Sequence, residues 1–161
     1  MPTTLFLHGL DSSSRGTKGR YFQAHFPAML CPDFSGDLDQ RLARLEVVCR
    51  GRTNLTLIGS SFGGLMASCF AIRHPARVAR LILLAPALNF PDFQVPPAQI
   101  AVPTLLVMGT NDTVCPPALV GPLAEATFSN LEVRLGDDDH LLRRMFAEVK
   151  WQALLAGERK S

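Results

Sequence analysis

Five consecutive residues, Gly59-Ser60-Ser61-Phe62-Gly63, have the spacing G-x-S-x-G. A serine hydroxyl is a weak nucleophile until a neighbouring base takes its proton. The flanks show how this chain meets the other requirements. Leu55-Thr56-Leu57-Ile58 before the motif is a short apolar run, and Gly63 to Arg73 after it is small and apolar. The first reads as a strand and the second as a helix. A strand–turn–helix of this kind holds the central serine in a strained, exposed conformation. Glycines on either side remove side chains that would clash with it, and Gly64 relieves crowding further. The new helix points its N-terminus at the serine, which favours developing negative charge. The plainer alternative is a tight turn that happens to contain Ser61.

A base and an acid must reach Ser61 from elsewhere. The four histidines are His8, His25, His74 and His140. Imidazole is the usual general base because its pKa lies near neutrality. His140 follows an apolar run and precedes a helical pattern, so it falls on a loop at a strand's end. His74 stands before Pro75 at a helix end and reads as structural. His25 precedes a strand, which is the wrong end of the sheet. His8 reads as a residue that shapes the loop after the first strand. Asp112, in Gly109-Thr110-Asn111-Asp112, lies past another apolar run; the alternative role for it is an Asx turn.

Asp137, Asp138 and Asp139 adjoin His140, but a residue one position away projects elsewhere from the same turn. The acid must lie behind the ring, so Asp112 is the expected partner. The acidic tract itself reads as a solvated helix start, with Asp139 a candidate cap, rather than as a metal site. Two backbone N–H groups, Leu10 in His8-Gly9-Leu10 and Phe62 after the serine, are the expected oxyanion donors.

These residues need a scaffold, and the hydropathy pattern supplies one. Short apolar runs occur at Leu5–Leu7, Ala28–Cys31, Leu55–Ile58, Leu81–Leu84, Thr104–Met108 and Leu131–Leu135. Most are apolar throughout, the pattern of parallel strands buried on both faces. Helical patterns lie between them. Leu38, Leu42, Leu45 and Val48/Cys49 recur at spacings of three and four, with Arg41, Arg44 and Glu46 between. Pro116-Pro117 opens a helix towards Phe128, and Leu141 to Leu154 outlines a last one. The expectation is an α/β fold, a doubly wound, mainly parallel sheet of about six strands with helices on both faces, in one domain over residues 1–161. Such sheets bind ligands at the carboxyl ends of their strands, where Ser61, Asp112 and His140 all fall. Leu88 to Val102 is a Pro-rich loop.

Composition narrows the partners. The chain has 161 residues, 47% hydrophobic and 19% charged, with 16 basic against 14 acidic side chains. A net charge of +2 gives no argument for nucleic acid or an anionic membrane. The basic residues are scattered, apart from Arg15, Lys18 and Arg20 and the polar tail Glu158-Arg159-Lys160. Cys31, Cys49, Cys69 and Cys115 show no C-x-x-C spacing and read as buried free thiols. The N-terminal residues Met1 to Gly9 lack a basic, apolar leader pattern, and no apolar run approaches the ~20 residues that span a bilayer. A cytoplasmic location is expected, with no membrane partner.

Together the motifs resemble the α/β-hydrolase superfamily. Leu7-His8-Gly9, Gly59-Ser60-Ser61-Phe62-Gly63-Gly64, Gly109-Thr110-Asn111-Asp112 and Asp139-His140 match its motif positions, in the chain order serine, aspartate, histidine. Arg73-His74-Pro75 with Val78 to Leu84 looks like the segment after its serine-bearing helix. The chain resembles small bacterial esterases with a long polar loop after His-Gly, here Asp11 to Lys18. It departs from the family in two ways. The usual first two strands are missing, and the cap domain is reduced to the loop around Asn89 to Pro97.

The resemblance implies a serine hydrolase acting on a small carboxylic ester or thioester through an acyl-enzyme, with catalytic Ser61, Asp112 and His140 and no cofactor or metal. Acyl transfer or peptide cleavage would use the same residues. A non-catalytic interaction module on the same fold is the alternative of another class.

Overall fold

In the computed structural model, which describes residues 2–156, the apolar runs become a parallel sheet of five strands. These are β1 (Thr3–Leu7), β2 (Leu55–Ser60), β3 (Val78–Leu84), β4 (Thr104–Gly109) and β5 (Leu131–Gly136), in the spatial order β1-β2-β3-β4-β5. Every neighbouring pair is parallel. The helices are α1 (Thr17–His25), α2 (Leu38–Val48), α3 (Phe62–Arg73), α4 (Pro117–Thr127), α5 (Arg143–Glu148) and α6 (Trp151–Leu155).

The sixth expected strand, Ala28–Cys31, is reduced to a single parallel bridge, Leu5 to Leu30. Leu30 donates to the Thr4 carbonyl and accepts from the Phe6 N–H, both at 2.9 Å. Pro27 and Pro32, which cannot donate to a ladder, stand on either side of this segment and confine it to that bridge. The remnant fixes the winding. The chain steps from β1 outward to Leu30 through α1, then back over β1 to β2 through α2. Right-handed crossovers in opposite directions place these two helices on opposite faces. The reversal occurs at the carboxyl end of β1, the position where open α/β sheets form a ligand crevice.

Two cores follow. On one face α2, α3 and α4 bury Leu42, Leu45, Leu65, Phe70 and Val120 against Leu5, Leu57, Leu83 and Leu106. On the other, Phe22 of α1, Phe146 of α5 and Trp151 of α6 pack on Phe6, Ile58, Ile82 and Val107. The alternation along each strand is the period-2 geometry that a sheet buried on both sides requires. The start of α2 is closed by a capping box: Asp37 accepts from the Gln40 N–H while the Gln40 side chain accepts from the Asp37 N–H.

Four further features differ from the sequence expectation. Thr17–His25 is helical, although its polar residues and Gly19 give it little apolar periodicity; Tyr21 and Phe22 are its apolar anchors. The last helix is two, because Val149 and Lys150 leave the helical conformation between α5 and α6. β5 is an edge strand with Glu132 to Leu135 exposed. Arg41 lies buried rather than on the wet face of α2. Its Nε donates to the Gly36 carbonyl at 2.8 Å, and its guanidinium sits 5.4 Å from the Phe62 ring centroid. The Pro-rich segment carries no regular element and packs Phe93, Ile100 and Val102 into the core. The tail Glu158-Arg159-Lys160 lies outside the described residues. Among the described residues no helix is long and apolar enough to cross a membrane.

Candidate active site

Ser61 sits between β2 and α3 with φ 55° and ψ −116°, a conformation that a non-glycine residue adopts only under constraint. The constraint is visible. The Ser61 N–H donates to the Leu84 carbonyl at the end of β3, and the Ser61 carbonyl accepts from Ala87, both at 2.9 Å. A Cβ on Gly59 would overlap the Gly63 carbonyl, and one on Gly63 would overlap the Leu7 carbonyl of β1. The two motif glycines therefore allow α3 to leave the sheet at once, with strand and helix in close contact.

The His140 imidazole reaches Ser61 from the loop after β5. Its Nε2 lies 2.9 Å from Ser61 Oγ, and its Nδ1 lies 2.8 Å from Asp112 Oδ2. The Asp112 carboxylate is fully buried, while His140 keeps 21% of its side-chain surface. The second carboxylate oxygen, Oδ1, accepts the backbone N–H groups of Val114 and Cys115, each at 2.8 Å. The expected Asx turn and the expected partner of the histidine are thus one residue using its two oxygens for two purposes. The structure brings Ser61, His140 and Asp112 into one hydrogen-bonded chain.

The acidic tract holds the histidine loop in place. Asn111 N–H donates to the Asp138 carbonyl, tying the Asp112 loop to the His140 loop. Asp138 Oδ2 accepts the Met145 N–H in the first turn of α5, and its Oδ1 accepts the Asp139 N–H. Asp138, rather than Asp139, therefore satisfies a free N–H of that helix, whose N-cap position is Leu142. The Asp139 carboxylate instead closes a local turn on the Leu141 N–H.

Leu10 and Phe62, the expected oxyanion donors, both border the serine. Gly9 packs against it, so that a Cβ there would lie 3.4 Å from Ser61 Cβ. Neither the Leu10 nor the Phe62 N–H donates to any acceptor among the described residues. His8 is buried; its Nε2 accepts the Phe34 N–H at 2.9 Å and its Nδ1 faces the Gly9 carbonyl at 2.7 Å. It shapes the loop and cannot reach the serine as a base. His74 pairs with Glu46 at 2.7 Å, and His25 turns back on the Tyr21 carbonyl of its own helix.

Two residues at the site carried no distinctive sequence signal. Cys115 is buried beside Asp112 and the Ser61 hydroxyl, and burial followed by the Asp112 charge pushes its thiol up to about 12. Lys18, in the first turn of α1, donates from Nζ to the Leu141 carbonyl at 2.7 Å, next to His140. Burial, with Arg143 adding to it, lowers its pKa below that of an ordinary lysine, against the opposing charges of Asp138 and Asp139. A cavity of about 870 Å³ opens at Ser61 and His140 and runs between α1 and α5, with Leu10, Tyr21, Phe90 and Phe146 among its walls.

The chain belongs to the alpha/beta hydrolase fold family, whose pattern matches residues 9–99. Phytyl ester synthase 1 of the Arabidopsis thaliana chloroplast is 33% identical over 100 residues, covering 55% of this chain; the chain spans only 14% of that protein's length. A hydrolase of the α/β superfamily from Xanthomonas campestris superposes with a TM-score of 0.74 at 26% identity, over 91% of each chain. The monoacylglycerol lipase of Paleococcus ferrophilus superposes at 0.67 and 17% identity, over 92% of each, a likeness of fold.

Proposed function

We propose that the chain is a serine hydrolase that cleaves carboxylic ester or thioester bonds, acting as one catalytic domain. The observation that carries this is the chain of hydrogen bonds from Ser61 Oγ to His140 Nε2 and from His140 Nδ1 to Asp112. In this reading the Ser61 oxygen attacks the acyl carbon as His140 Nε2 takes its proton. The Leu10 and Phe62 N–H groups receive the oxyanion, in a position where such donors contribute roughly 10²–10³ each to rate. The imidazolium, held by Asp112, then protonates the departing alcohol or thiol. The same imidazole takes a proton from water, which releases the acid and frees Ser61. No step draws on a metal or cofactor.

Fluorophosphonate labelling together with a panel of ester and thioester substrates tests this. Wild-type protein should label at Ser61 and turn over at least one class; Ser61→Ala, equally folded by circular dichroism, should do neither. Turnover by Ser61→Ala near the wild-type rate would sink the assignment. The likeness to a protein named an ester synthase favours one second reading, acyl transfer to an alcohol from the same acyl-enzyme. Adding alcohol acceptors to the panel measures it as ester product formed against acid released.

A further inference from the structure

The two edges of the sheet are treated differently. At the β1 edge Leu30 takes up both the Thr4 carbonyl and the Phe6 N–H. At the other edge β5 pairs with β4 on its inner side, and no described residue pairs with its outer side. β5 is six residues long with no proline. Val133 and Leu135 are 45% and 54% exposed, and they lie on the face that α4 covers further in, since they register with Leu106 and Met108. α4 itself leaves Leu119 55% exposed. The strand is thus apolar on one face and carries Glu132 and Arg134 on the other, and its outer N–H and C=O groups form a template for pairing with another strand.

The sequence of β5 shows what fits. A two-fold axis perpendicular to the sheet would place two copies of β5 antiparallel, each residue opposite one on the same face. With Val133 on the axis, Leu131 meets Leu135 of the second copy and Val133 meets Val133. On the other face Glu132 meets Arg134, twice. Moving the axis to Glu132 would set glutamate against glutamate, and moving it to Arg134 would set arginine against arginine. Opposite charges directly across a strand pair stabilise it and like charges disfavour it. Within one copy Arg134 Nε already lies 3.1 Å from Glu132 Oε2, so the pairing would join two exposed ion pairs into one four-charge cluster.

We propose that β5 is a homodimerisation edge, joining two five-stranded sheets into one continuous sheet in the register centred on Val133. The partner is a second copy of this chain, because the strand is complementary to itself in charge and in apolar pattern. The contact is small, so association is reversible, with a dissociation constant on the order of 10 µM.

Sedimentation velocity of the full chain, from about 1 µM to about 500 µM, tests this. Wild-type protein should pass from monomer to dimer over that range. Glu132→Arg and Arg134→Glu should each weaken association by about tenfold or more, since each sets like charges opposite at two positions. The double variant E132R/R134E should restore it to within about threefold. Val133→Lys, which brings two ammonium groups face to face at the axis, should also be monomeric, and thermal melting confirms that each variant is folded. A wild-type protein monomeric throughout, single variants that associate like wild type, or a double variant as weak as the singles would overturn the proposal.

Discussion

Replacing Asp112 by asparagine isolates what the carboxylate does for His140. Asp112 is fully buried and its two oxygens have separate duties: Oδ1 accepts two backbone N–H groups and Oδ2 faces His140 Nδ1 at 2.8 Å. Asparagine offers one oxygen and one NH₂. If the NH₂ took the Oδ1 position, two backbone donors would face a donor, at roughly 1–3 kcal/mol for each buried group left unsatisfied. The oxygen therefore stays with Val114 and Cys115, and the NH₂ points at His140. That amide donates to Nδ1, which moves the ring proton to Nε2, the nitrogen 2.9 Å from Ser61 Oγ. The base then presents a proton where it should accept one. In a serine protease with the same arrangement this exchange costs about 10⁴ in kcat, which corresponds to about 5.4 kcal/mol at 1.36 kcal/mol per tenfold.

The assay is steady-state turnover of a soluble nitrophenyl ester by four variants at one pH, with folding checked by melting temperature. Asp112→Asn should melt near wild type and lose three to four orders of magnitude in kcat, a magnitude taken from that precedent. Asp137→Asn and Asp139→Asn should keep most activity, since an amide oxygen can still accept the Leu141 N–H from Asp139. Asp138→Asn gives up one of two accepted N–H groups and should lose about 1 kcal/mol of stability, with turnover lowered only modestly. Activity in Asp112→Asn within tenfold of wild type, beside a folded but inactive Asp138→Asn, would refute the reasoning.

Gly63→Ala should destabilise the protein by more than about 3 kcal/mol, because the added methyl overlaps the Leu7 backbone carbonyl in a packed strand; chemical denaturation measures it, and a loss under 1 kcal/mol would show that α3 can retreat. All four thiols are free, and burial raises each of them, Cys49 and Cys69 to about 11 and Cys115 to about 12. Since the thiolate is the reactive form, Cys115 should resist iodoacetamide at pH 8 in the folded protein and react only after denaturant is added, as mass spectrometry would show; rapid native labelling of Cys115 would contradict its burial. Short, soluble acyl esters should be hydrolysed without a lipid interface, because the segment from Asn89 to Pro97 is a short loop and the cavity beside Ser61 is open. Activity that began only above the solubility limit of the substrate would require a mobile lid.

The sequence alone determined the parts of this protein that depend on local pattern. Short apolar runs bounded by turn residues read as strands, so all five strands of the sheet were legible. G-x-S-x-G between a strand and a small-residue helix allows few backbone paths, which fixed the turn at Ser61. Pro116-Pro117 marked a helix start for an equally local reason.

Tertiary structure decided what depends on distant partners. Ala28–Cys31 has the composition of a strand, but as an outermost segment flanked by prolines it makes one bridge. β5 lies at the open edge, so its alternating Leu-Glu-Val-Arg-Leu is exposed despite its length. α1 has too few apolar residues to announce itself, and it forms because Tyr21 and Phe22 find Phe146 and Trp151, more than a hundred residues away. Three adjacent aspartates are alike in sequence; only the folded loop gives Asp138 a free N–H of α5 and Asp139 the turn. Chain order could nominate Ser61, Asp112 and His140, but the 2.8 and 2.9 Å contacts between them exist because β2, β4 and β5 all finish at the carboxyl end of one parallel sheet.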